Sequence, residues 1–251
     1  MSDREIDEFA YAVLKDYKPD LLKRPGEIDY ENFLEQYLKA WVEFHDIYSN
    51  DPDFPILALT TFTDGEVNIF DSENECVSSI FMPARTIVLD NSIADSAIAG
   101  MIRFSALHEA GHLMLHWRVF VDEYGEPYTR TNDTASVIAA CRRDNIENSI
   151  RGKKQRTAAD WREHQADYFA AAVAMPTCTF RPFVNKILRK NGYYKGQIQL
   201  GCDSYLDILA DDLIPEFISE TYGVSKRAAR IKLRKAGFVT GGSVSGQAWH
   251  K

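Results

Sequence analysis

Apolar and polar positions change their period several times along the chain, and each change marks an element. Residues 3–18 carry a helical pattern that Pro19 stops, which predicts a first helix. Asp29 can cap a second, longer helix to about Tyr48, with Leu34, Leu38, Trp41, His45 and Tyr48 as its stripe. His45 on that stripe reads as a hydrogen-bonded structural histidine. From Phe54 to about Asn91 the pattern turns β-rich. Ile56 to Phe62 and Glu66 to Phe70 are joined by Thr63-Asp64-Gly65, a hairpin-type turn. Val77 to Phe81 is a third run, and Pro83-Ala84-Arg85 turns the chain into Thr86-Ile87-Val88-Leu89-Asp90. The expected product is a small, mostly antiparallel sheet.

A helix from about Ser92 or Asp95 to Trp117 follows. Residues 118–156 read as a loop-rich surface excursion. Val119-Phe120-Val121 and Tyr128-Thr129-Arg130 form a short ribbon there, with one short helix near Ala135 to Cys141. Thr157 to Asp160 is a capping-box start for a helix that runs to Met175 and ends at Pro176. Further helical pieces are expected from Thr179 to Lys190, from Asp203 or Ser204, from Pro215 to near Gly223, and from a cap at Ser225 to a stop at Gly237. The expected organisation is N-terminal helices over 1–50, a core over 51–178, a helical C-terminal subdomain over 179–240 and a disordered tail over 241–251. The fold class is α+β.

Composition narrows the function. The chain has 251 residues, 45% hydrophobic, enough for a substantial core. A net charge of −8 disfavours general nucleic-acid binding. Met1 to Glu8 is acidic and lacks the apolar centre of a secretory signal, and no stretch approaches the length of a membrane span. Cys76, Cys141, Cys178 and Cys202 are scattered without a C-x-x-C pair, so they read as reduced thiols in a cytoplasmic protein.

The candidate chemistry lies in His108-Glu109-x-x-His112. On a helix, positions i and i+4 point the same way, so the two histidines can share one metal ion, with Glu109 placed to act on a water it holds. Catalytic zinc takes three protein ligands and leaves a fourth position open. The helix from Thr157 offers Glu163 as third ligand. Asp167, four residues on, can accept a hydrogen bond from the far nitrogen of a ligand histidine. Glu109 is then the general base and later the acid for the leaving amine. His116 does not fit a three-histidine pattern, in which the third histidine comes six residues after the second; Arg118 stands there. His116 is read as supporting a ligand from behind or closing the helix. His164, turned about 100° from Glu163, ranks below it as a ligand.

These residues resemble the ImmA/IrrE family of zinc metallopeptidases. Phe104 to His116, followed by Trp161 to Pro176, is similar to that family's H-E-x-G-H-x-x-L-H helix and its E-x-Q/E-A-D/N-x-F-A helix ending in Met-Pro. Phe217 to Phe238 is similar to its C-terminal segment. Ala174 stands where a leucine is common, the excursion at 118–156 is long, and no helix-turn-helix repressor domain stands at the N-terminus as in some relatives. The resemblance implies a zincin-like, gluzincin-like fold, one Zn²⁺ held by His108, His112 and Glu163, and Glu109 as catalytic residue. It implies cleavage of a separate repressor protein, often one encoded by a mobile element. An extended substrate is expected to add to an edge strand at 86–90. Tyr222 to Gly237, with Lys226, Arg227, Arg230, Lys232, Arg234 and Lys235, also looks like the second half of a helix-turn-helix. In an acidic chain the favoured reading is a solvated or partner-binding helix, and direct DNA binding is not expected. The rival function is a non-catalytic, zinc-stabilised regulator that binds a repressor or DNA.

Overall fold

The computed structural model of this chain describes residues 1–51, 55–94, 99–122, 138–142 and 157–241, with 138–142 as backbone alone. It mixes helices with small sheets. α1 (Asp3–Tyr17) starts in a capping box: the Ser2 hydroxyl accepts from the Glu5 N–H, and the Glu5 carboxylate accepts from the Ser2 N–H. Its buried stripe is Ile6, Ala10, Val13 and Leu14.

The long helix expected from Asp29 does not form. Asp29 does cap α2 (Tyr30–Asn32), which continues as a π turn over Phe33–Tyr37. Lys39 then adopts φ +54°, which ends helical geometry. Trp41–His45 becomes strand β1, pairing in parallel with β5 (Thr86–Asp90). The helical stripe is real only to Leu38; beyond it, strand pairing overrides the period. Trp41 is 63% exposed, which a core stripe would not allow.

The central sheet has the order β1-β5-β2-β6, with β2 (Ile56–Thr61) and β6 (Ile138–Arg142). Only the β1–β5 pair is parallel, so the sheet is mostly antiparallel as expected. Strand β5 lies inside it, between β1 and β2, and cannot be the substrate-receiving edge expected at 86–90. The turn at Thr63-Asp64-Gly65 makes no hairpin between its two flanking strands. β3 (Gly65–Asp71) pairs with β4 (Cys76–Met82) in a separate ribbon. Of the short helix expected near Ala135 to Cys141, the described part, from Ile138, is instead strand β6, because the open side of β2 offers a ladder that outweighs alanine's local preference. Val119 and Phe120 continue the histidine helix rather than starting a ribbon. The ribbon's second half, Tyr128 to Arg130, and the tail from 242 lie outside the described residues.

Strand alternation sets the two faces of the sheet. Leu59 and Val88, directly opposed, pack with Ile47, Val67 and Met82 under the β3–β4 ribbon. Ala58, Ile87 and Leu89 face the other way, into the main core. That face receives α3 (Ala99–Phe120). The helix does not begin at Ser92: Asn91–Ile93 is a single 3₁₀ turn capped by Asp90.

α4 (Ala158–Ala174) begins at the expected capping box, with Thr157 and Asp160 exchanging bonds. α5 (Thr177–Lys190) follows directly after Pro176. α6 (Ser204–Ile208) runs through a π turn at Leu209–Leu213 into α7 (Ile214–Tyr222) without the break expected before Pro215. Pro215 lacks the N–H that would bond the Asp211 carbonyl, and Arg230 Nε takes that carbonyl instead (2.6 Å). Gly223 caps α7 at φ +62°. α8 (Lys226–Lys235) starts on Ser225, and β7 (Ile198–Gln199) pairs in parallel with β8 (Val239–Thr240). Cations of α8 meet acids before them in the chain: Lys226 pairs with Glu216 and Asp212, and Arg234 with Asp211.

Candidate metal centre

α3 and α4 are the most extensively packed pair of helices. Gly111 explains how they approach. A Cβ there would lie 3.1 Å from Ala166 Cα and 3.2 Å from the Ala166 carbonyl oxygen. Buried Ala166, Ala170 and Ala174 supply the small face of α4. The resulting close crossing sets Glu163 and Asp167 against the histidine face of α3.

The three expected ligands converge. His108 Nε2 and His112 Nε2 stand 3.1 Å apart. Glu163 reaches each through a different oxygen, Oε2 to His108 and Oε1 to His112, at 3.4 Å. All ligand atoms lie within 4.8 Å of one another, an arrangement that could hold a metal ion. His108 and His112 are buried, and Glu163 is partly exposed. Burial opposes the charge on Glu163, but the two imidazoles facing it outweigh that and hold its carboxyl below the usual range.

The donor set fits a metal only if both Nε2 atoms carry lone pairs, and the surroundings arrange this. Asp167 Oδ1 lies 2.9 Å from His108 Nδ1, which places the His108 proton on Nδ1. Behind His112, its Nδ1 is 3.0 Å from His116 Nδ1, and His116 Nε2 is 3.0 Å from Gln165 Oε1. Gln165 Nε2 donates to the Met1 carbonyl (2.7 Å), which turns the amide oxygen towards His116. His116 therefore donates from Nε2 and accepts on Nδ1, and His112 must donate from Nδ1. Burial, together with neighbouring His112, pushes the His116 pKa down to about 4, so the ring is neutral as this relay requires.

Glu109 lies fully buried beside the ligands. The Thr60 hydroxyl donates to Glu109 Oε2 at 2.6 Å. Burial raises the Glu109 pKa, opposed by the two histidines and by Thr60. His164 turns away to Asp3 (2.8 Å), and the Tyr168 hydroxyl donates to Asp7 (2.9 Å). His45 lies on β1 with Glu43 as its partner at 3.0 Å.

Thr60 and Gln165 have no role in the sequence reading. Thr60 left a signal, a polar side chain at a helix-facing position of an apolar strand. Gln165 stands inside the motif that carries the family resemblance, but its partners are distant in the chain. No protein-family model matches this chain, and no curated protein does.

Proposed function

We propose that this protein is a cytoplasmic zinc-dependent endopeptidase that cleaves a specific protein, such as a transcriptional repressor. The observation that carries the reading is the convergence of His108, His112 and Glu163 with a buried glutamate, Glu109, on the same helix turn. Two nitrogens and one carboxylate are the ligand set of a catalytic zinc. The resemblance to the ImmA/IrrE peptidases supports the same assignment.

Zinc held by His108, His112 and Glu163 would supply Lewis acidity to a water and to the scissile carbonyl. The protein's own side chains do the rest. His108 and His112 would bind through Nε2, each held in one tautomer from behind. The Thr60 hydroxyl donates to Glu109 Oε2 and holds the carboxylate beside the ligands. The Glu109 carboxylate would take a proton from the attacking water and return it to the leaving nitrogen. Since β5 is covered on both sides, an extended substrate would have to pair with β1 or β6, the strands that end the sheet order.

Glu109→Gln tests the proposal. Zinc content should stay near one per chain, while cleavage of a candidate repressor falls by about 10²–10⁴-fold. Cleavage at the wild-type rate would remove Glu109 from the mechanism. If every biological effect survives the substitution, the function is binding by a zinc-stabilised regulator. A wild-type protein that takes up no zinc would overturn both readings.

A further inference from the structure

A second concave site lies one to two helical turns along α3 and α4 from the metal ligands. It is a cavity of about 350 Å³ walled by α3, α4, α8 and Leu57 of β2. Its apolar wall includes Leu57, Met101, Phe104, Ala171, Met175 and Ile231. A Cβ on Gly100 would lie 2.5 Å from the Ser225 nitrogen, so α8 docks on α3 backbone against backbone. The close contact holds the wall of the cavity in place.

The cavity also carries charge. Arg227, Lys232 and Lys235 line it, and among the described residues the carboxylate that lines it is Asp167, already engaged by His108. Lys232 is only 8% exposed. Among the described residues its ammonium makes no hydrogen bond and no ion pair; it lies 6.0 Å from the centre of the Tyr168 ring. Asp7 balances it only at longer range and is itself held by the Tyr168 hydroxyl. A buried cation without a hydrogen-bond acceptor is costly unless something supplies one.

We propose that this cavity binds a small organic anion with an apolar body, its carboxylate on Lys232 and Lys235 and its chain against the apolar wall. The volume falls at the low end of small-ligand pockets, which favours a compact molecule over a folded partner. Burial pushes the Lys232 pKa down, and an anion placed beside the ammonium would offset that cost. The cavity borders the metal centre through Asp167, but the proposed binding does not depend on the peptidase chemistry.

Isothermal titration of the full chain with decanoate, beside decan-1-ol, tests this. Decanoate should bind saturably at one per chain and more tightly than the alcohol. Lys232→Met should weaken decanoate at least about tenfold and narrow its advantage over the alcohol. Ala171→Phe, which fills the cavity, should abolish binding of both while circular dichroism stays native. Absence of saturable binding, equal affinity for acid and alcohol in the wild type, or affinity unchanged in Ala171→Phe would each overturn the proposal. If Lys232→Met does not fold, the alcohol comparison and Ala171→Phe decide alone.

Discussion

Two protons determine whether His108 and His112 can share a cation. Each must sit on Nδ1, or its nitrogen lone pair points the wrong way. Asp167 settles the first directly, and the chain His116–Gln165–Met1 settles the second through three successive contacts. We expect Asp167→Ala and Gln165→Leu each to weaken zinc about 10–100-fold, measured by competition with a chromophoric chelator. Wild-type affinity in Gln165→Leu would show that His112 needs no help with its tautomer. Asp167 was readable in advance because it follows Glu163 by one helical turn. Gln165 was not, because its two partners lie 49 and 164 positions away in the chain and meet it only in the folded protein.

Helices α3 and α4 meet at a glycine, and that single position sets the spacing of the ligands they carry. A glycine inside a helix costs about 1 kcal/mol relative to alanine, a cost that a close crossing offsets. The crossing partner proves to be the backbone of Ala166, which cannot swing aside as a side chain could. For Gly111→Ala we therefore expect the steric cost of overpacking, about 1–3 kcal/mol, to exceed the propensity gain. The denaturant midpoint should fall and zinc should bind more weakly; a midpoint at or above wild type would mean that α4 can shift without loss. Elements with local punctuation, such as the Ser225 start of α8 and the Thr157 start of α4, were legible along the chain for the same reason that they are stable: their caps are local. The segments over 41–45 and 138–142 were not, because they are strands only by virtue of β5 and β2, partners that no local pattern reveals.

The main core runs through the whole molecule, joining side chains of α1, α3, α4, α5, α7 and α8 in one cluster. Buried Arg103 adds a polar tie across it: the α3 side chain donates to the Ile28 and Gly223 carbonyls and pairs with Glu27. Five tyrosines at the margins or inside this body, Tyr17, Tyr30, Tyr37, Tyr168 and Tyr222, have raised pKa values, in each case chiefly through burial. Tyr222 is the fully buried one, set against Phe180 and Phe183, with its hydroxyl 3.2 Å from the Thr179 hydroxyl and its pKa pushed up to about 12. The sign of the effect follows from proton counting. Between the ordinary tyrosine pKa of about 10 and the folded value, the folded state holds the Tyr222 proton and the unfolded chain releases it. Unfolding then releases protons, so stability falls as pH rises through that window and is fully present below it. Urea unfolding at a series of pH values from neutral to alkaline should show this decline. Tyr222→Phe should lose a little stability near neutral pH with the Thr179 contact, and should decline less steeply above pH of about 10. Parallel declines in the two proteins would mean that the other four tyrosines carry the alkaline sensitivity and that the Tyr222 phenol can ionise without opening the core.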